Sequence, residues 1–196
     1  MIEDVKHLEI FPVDVFRIVL ALDHAAITEY TLEHKKKWNQ YTTYHNHEIN
    51  RDWQKNLPDR KKLEESLIEV SDRWNKKTGR KLFSEYGDGA FLHYWVSVYS
   101  ENDQHGSHNH PGSSIAGTYY PSCGMDSASI NFEAPWDAHT MHDTIDFSKK
   151  VYKYRPQIGD ALIWPSWLYH RVQTQGPSDV PRIAISFNLD YNKYHD

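Results

Sequence analysis

The chain has 196 residues, the length of one domain at roughly 150 residues per domain, and can bury a sizeable core without disulfides or structural metal. Its 39% hydrophobic and 25% charged content, with a mean hydropathy of −0.77, excludes a membrane protein. The net charge of −5 argues against a nucleic-acid partner, because the only basic runs, His34-Lys35-Lys36-Lys37 and Arg60-Lys61-Lys62, sit in helix-like text and read as solvated faces. The first residues, MIEDVKHLEIFP, are acidic where a secretory signal would be basic. The single cysteine, Cys123, has no internal disulfide partner. A cytoplasmic protein of one domain, 1–196, is expected, with a mainly helical region over 1–80 and a strand-rich core over 81–196.

In chain order, Leu8–Leu20 offers one edge strand. Residues 23–79 then read as helix. Asp23 is a fitting N-cap for HAAITEYTLEHKKKW. A second helix follows Leu57-Pro58-Asp59, where Leu63, Leu67, Val70 and Trp74 keep the spacing of a single helical face. Basic residues at Lys76-Lys77 and then Gly79 end it. From residue 89 the period changes to two. AFLHYWVSVYS, SSIAGTYYP, SASINFEAP, DALIWPSW and RIAISFNLDY are strand-like, with turns at Pro111-Gly112, Cys123-Gly124 and Gly176-Pro177. This is an α+β pattern, with N-terminal helices packed on an antiparallel double-sheet core of sandwich, jelly-roll or small-barrel type.

The sharpest chemical signal is His108-Asn109-His110, read as opening a strand, where residues i and i+2 point to one side and two imidazoles reach one metal. His170 follows the Pro165-Ser166 turn and opens another strand. Two ligands on one strand and one on a neighbour make a facial site with open positions. The tripeptide recurs as His45-Asn46-His47, but in helical or turn-like text, where side chains two apart diverge, so that copy is expected away from the cleft. Arg182 opens Arg182-Ile-Ala-Ile-Ser186-Phe-Asn188. Alternation turns Arg182 and Ser186 to one face, and Ile183, Ile185 and Phe187 to the other. A buried arginine needs a partner, either an internal acid or a ligand carboxylate.

These residues carry a family resemblance. Trp95-Val-Ser-Val-Tyr99, Gln104, His108-x-His110-Pro111, Ser114 to Tyr120, Gly159-Asp160 to Pro165, His170, and Arg182 to Asn188 together resemble the core of the 2-oxoglutarate/Fe(II)-dependent oxygenases, distantly the prolyl hydroxylases. The likeness spans about residues 90 to 190; the helices before residue 80 are outside it. It implies a double-stranded β-helix, or jelly-roll, holding Fe(II) and the cosubstrate 2-oxoglutarate. By that likeness His108, His110 and His170 bind iron, which 2-oxoglutarate chelates through its C1 carboxylate and keto oxygen. The far carboxylate pairs with Arg182, assisted by Ser186 and one tyrosine. Tyr120 is favoured over Tyr119 by strand parity, and Tyr99 lies nearer the iron-bound end. With O2, the reaction releases succinate and CO2 and hydroxylates a C–H bond of a small-molecule or peptide substrate.

One departure is that the family's usual triad has two histidines and a carboxylate, whereas His110 takes the carboxylate's place. Glu133 or Asp137 could replace one imidazole, and Asp103 or His105 could approach from the loop. Two other readings compete with the oxygenase. A cupin shares the barrel, but its first motif needs a glutamate that 111–117, Pro-Gly-Ser-Ser-Ile-Ala-Gly, lacks. A catalytically silent binding barrel would have lost the histidines or the arginine.

Overall fold

The structure is a computed structural model that describes residues 13–82, 90–135 and 151–191. Its elements in order are β1 (Phe16–Val19), α1 (His24–Lys35), α2 (His47–Lys55), α3 (Arg60–Lys77), β2 (Ala90–Tyr99), β3 (His105–His108), β4 (Ile115–Ser122), β5 (Ile130–Glu133), β6 (Val151–Tyr154), β7 (Asp160–Pro165), β8 (His170–Val172) and β9 (Arg182–Tyr191).

Local chemistry accounts for the helices. The Asp23 carboxylate accepts the Ala26 N–H at 3.0 Å, capping α1. Asn46 does the same for α2 through Ile49 N–H at 3.1 Å, so the helical region is three helices rather than two. In α3, Leu63, Leu67, Val70 and Trp74 are all buried, and Lys76 and Lys77 occupy the last turn.

The strands form two antiparallel sheets. The larger runs β1-β7-β4-β9-β2 and the smaller β3-β8-β5-β6. β1 is the edge strand expected near the N-terminus. Alternation divides the large sheet into two buried faces. Tyr94, Val96, Ile115, Tyr119, Ile163, Ile183, Ile185 and Phe187 share one apolar cluster with Ile27, Trp53, Leu63, Leu67 and Trp74 of the helices. Tyr99, Ala116, Tyr120, Leu162, Trp164 and Ala184 turn the other way, toward Ile130, Phe132 and Val172 of the small sheet. Polar contacts tie the helical region to β2: Asn50 Nδ2 donates to Tyr94 O at 2.9 Å and Tyr94 Oη to Glu64 at 2.7 Å.

Asp160, fully buried at the start of β7, gathers Arg17 from β1 at 2.7 Å, Tyr154 Oη from β6 at 2.5 Å and the Gln157 N–H at 2.8 Å. Each donor offsets part of the cost of removing the carboxylate from water. It thereby fastens an edge of the large sheet to an edge of the small one.

Gly117 in β4 is a packing requirement. A Cβ there would stand 2.1 Å from Phe187 Cζ and 2.7 Å from the Leu162 carbonyl. Gly117→Ala is expected to lower stability by about 1–3 kcal/mol or more, since an extra carbon in a filled core displaces its neighbours. Urea unfolding checks this, and shaving the obstacle in Gly117→Ala/Phe187→Leu should restore part of the loss.

Candidate metal and cosubstrate site

His108, His110 and His170 offer ligand atoms within 4.8 Å of one another, the one such three-residue group among the described residues. Ring centroids are 4.3 Å apart for His108–His170 and 5.1 Å for His110–His170. The Nε2 atoms of His110 and His170 are 3.3 Å apart. His108 and His170 are direct cross-strand partners on β3 and β8.

His110 arrives by a different route from the one the spacing suggests. His108 closes β3 instead of opening a strand, and His110 lies in the loop beyond it. Its N–H donates to Ser166 O at 2.9 Å, in the turn between β7 and β8. Pro111, which has no N–H, and Gly112, at φ +92°, end the ladder here. Convergence of the two imidazoles therefore comes from a turn, not from strand parity.

Burial sets their protonation. Desolvation, with a smaller contribution from the His108 ring, lowers His110 to about 4 and His170 to about 3. His105, stacked on His108 at 4.2 Å, falls to about 4 for the same reasons. His110 and His170 are thus neutral at pH 7, the form that binds a metal.

A narrow cavity of about 40 Å³ runs from the three imidazoles to Arg182, lined also by Tyr99, Thr118, Tyr120, Trp164 and Ser186. Arg182 is 1% exposed. Its Nε donates to Ala128 O at 3.1 Å, whereas both terminal nitrogens lack a hydrogen-bond partner. No ion pair to Arg182 occurs among the described residues. Instead the Tyr99 and Tyr120 rings flank the guanidinium at 4.4 and 5.2 Å, which puts Tyr99 at the arginine end rather than at the iron-bound end that the resemblance implies. Burial raises both phenols, only partly offset by that cation. Tyr119 points to the helical side, where its hydroxyl meets His24 Nδ1 at 2.6 Å. Parity thus divides Tyr119 from Tyr120.

Among the described residues none of the alternative ligands joins the three converging imidazoles. Glu133 faces Arg171 at 3.7 Å. Asp103 accepts the Ser100 N–H at 2.7 Å. His105 Nδ1 meets Tyr41 Oη at 3.0 Å and is not one of the converging three. Asp137 lies outside the described residues. His47 begins α2, but His45 corrects the expectation of distance. It joins Tyr41, Tyr44, Trp95, Asp103, His108, Asn109 and His110 around an open depression of about 730 Å³. The loop before α2 folds over β2, with the Thr43 N–H on Val96 O at 2.9 Å, and carries His45 to the rim.

Sequence reasoning assigned no role to four residues here. Thr118 Oγ1 and Trp164 Nε1 line the inner cavity, buried and without partners. Trp95 stacks on His110 at 6.0 Å, and Asn188 sits on the rim. Parity could have found three of them: Trp95 pairs with Ser186, Thr118 with Ser186, and Asn188 lies on the face of Arg182.

Residues 93–188 match the family profile described as "Putative 2OG-Fe(II) oxygenase". No curated protein matches by sequence. Among solved structures, a prolyl-4-hydroxylase from Pseudomonas putida is similar at TM-score 0.55 and 12% identity, over 91% of this chain and 93% of that one. HygX from Streptomyces hygroscopicus with nickel and 2-oxoglutarate bound gives 0.55 and 9%, over 93% and 84%. The non-heme alpha ketoglutarate dependent epimerase SnoN from nogalamycin biosynthesis gives 0.54 and 11%, over 91% and 79%. This chain spans only 45% of the length of a further match, an oxidoreductase from Burkholderia pseudomallei (52% of this chain, TM-score 0.41, 10% identity). The likenesses at 0.54–0.55 establish a shared fold, the double-stranded β-helix.

The depressed imidazoles give a pH prediction. The folded protein holds fewer protons on these rings than the unfolded chain, whose histidines titrate near 6.5. Their contribution is present above pH 6.5 and is lost as pH falls toward 4–3. Denaturant midpoints of metal-free protein should therefore fall from pH 7 to pH 5, and His170→Gln should flatten that slope.

Proposed function

Residues 93–188 belong to the 2OG-Fe(II) oxygenase family, which makes the chain a non-haem enzyme working with Fe(II) and 2-oxoglutarate, and from that premise we propose that it hydroxylates a C–H bond of a small-molecule or peptide substrate. The observation that carries the proposal is the unpaired Arg182 guanidinium buried in one cavity with three converging imidazoles. A buried cation with two idle donor groups is costly unless a ligand supplies the counter-charge. A carboxylate does so through two parallel hydrogen bonds.

In this reading His108, His110 and His170 would hold the metal, facing the cavity that leads to Arg182. Bound Fe(II) supplies the oxygen chemistry, coupled to decarboxylation of 2-oxoglutarate to succinate and CO2. Arg182 fixes the far carboxylate, with Ser186, Thr118 and Tyr120 as neighbouring hydroxyl donors, and Tyr99 covers the guanidinium. The rings of Trp164 and Phe132 against His170, at 4.8 and 6.2 Å, keep water from that ligand. None of the three imidazoles brings a negative charge, so with a metal held there both ends of the cavity would attract a dianion such as 2-oxoglutarate.

The inner cavity has room for about three waters by volume. A five-carbon diacid held there would lie against Tyr99, Tyr120 and Trp164, and binding should alter Tyr and Trp fluorescence. The open depression next to His108 and His110 is the place for the substrate, with Tyr41, Tyr44 and Trp95 as its apolar wall. The buried, unpaired thiol of Cys123 suits a reducing cytoplasmic setting.

Succinate release from 2-oxoglutarate with Fe(II), O2 and ascorbate tests the reading. Arg182→Ala should keep the metal but weaken 2-oxoglutarate by about 2–4 kcal/mol, roughly 30- to 1,000-fold. Arg182→Lys should recover only part, lacking the planar fork. Unchanged 2-oxoglutarate affinity in the alanine variant would remove the cosubstrate assignment.

A further inference from the structure

Asn188 is a buried residue to which the reaction outlined above gives no role. Its side chain is 8% exposed, and its Oδ1 is buried with no hydrogen-bond partner. It stands on β9, on the face of Arg182 and Ser186, and its side chain lies against the His110 ring at the rim of the cleft. We propose that Asn188 is a positioning residue, whose Oδ1 accepts the Nδ1–H of His110 and so presents the Nε2 of that ring to the metal. The inference rests on His110 being a ligand.

The other two imidazoles supply the argument. For a neutral histidine to bind metal through Nε2, its proton must sit on Nδ1, and that N–H needs an acceptor. His108 Nδ1 lies 2.9 Å from Gly106 O, and His170 Nδ1 lies 2.9 Å from Leu168 O. Each ring is thus held by the carbonyl two residues before it, the same local device used twice. No such contact to His110 is found among the described residues. Its backbone has left the strand, and its own N–H and carbonyl are used by Ser166 and Ser113. Trp95 covers one face of the ring but offers no acceptor to an N–H in the ring plane. The orphaned acceptor on Asn188 and the unanchored donor on His110 are therefore each other's complement. Only the oxygen of the amide suits this role, since its nitrogen would set one N–H against another.

The test is binding of Mn(II) to the full chain, together with the ring N–H signals of the Zn(II)-loaded protein. Asn188→Leu and Asn188→Ala should each weaken Mn(II) by about 10- to 100-fold. Asn188→Asp, which keeps an acceptor, should retain the parent affinity. The His110 Nδ1–H should exchange slowly with solvent in the parent and in Asn188→Asp, and rapidly in the leucine and alanine variants. The His170 Nδ1–H, anchored on Leu168, should be slow in all four. A general loss of structure would loosen both signals together, and aspartate would not rescue it. Parent-like Mn(II) affinity with a slow His110 Nδ1–H in the leucine and alanine variants would overturn the assignment. If instead His110→Ala bound Mn(II) as tightly as the parent, the fault would lie in the metal-site reading, and the role of Asn188 would fall with it.

Discussion

The five-stranded sheet is covered on both faces, and every strand in it must therefore satisfy two neighbours at once. On one face the neighbours are helices, against which β9 turns the apolar Ile183, Ile185 and Phe187. On the other is the small sheet, and the space between the two is not filled completely. Because successive side chains alternate, the residues between those isoleucines are forced into that space. Arg182, Ala184 and Ser186 owe their position to this alternation on β9. Opposite them on β2, Tyr99 and Trp95 are Cα partners of Arg182 and Ser186. A one-residue slip in β9 would exchange an apolar row for a charged one, so the register is defended from both sides.

That arrangement explains the uneven electrostatics of the interior. His110 and His170 at one end of the cavity lose their charge through desolvation, while the guanidinium at the other end keeps its own, because arginine does not deprotonate in proteins. A single cavity thus carries neutral nitrogen donors at its mouth and a fixed cation at its base. Its polarity runs lengthwise, which suits a ligand with a chelating head and an anionic tail.

Much of this could be read from the residues. Period-two text located β2, β4, β5, β7 and β9, and parity alone separated Tyr120 from Tyr119. The apolar spacing of Leu63, Leu67, Val70 and Trp74 located α3. Failures came where tertiary contacts override local pattern. His110 shares a tripeptide with His108 but not its strand, since Pro111 and Gly112 cut the ladder short. His45 lies far from any strand text by local reading, yet the backbone bond from Thr43 to Val96 brings it to the cleft. β6, with Lys153 in a four-residue strand, has too little apolar text to be recognised alone. Alternation places Asn188 on the face of Arg182 and Ser186, but that it meets His110 depends on a loop that sequence spacing does not reveal.

The two kinds of support beneath the imidazoles have a consequence for how such a centre can change over evolutionary time. His108 and His170 face each other across a strand pair, so replacing either disturbs the small sheet as well as the metal. His110 belongs to a turn, and its backbone bonds to Ser166 and Ser113 do not depend on which side chain it bears. In the proposed metal site, residue 110 is therefore the position whose side chain can be exchanged with least disturbance of the strand ladder, and an acid there would bring the negative charge that three imidazoles lack.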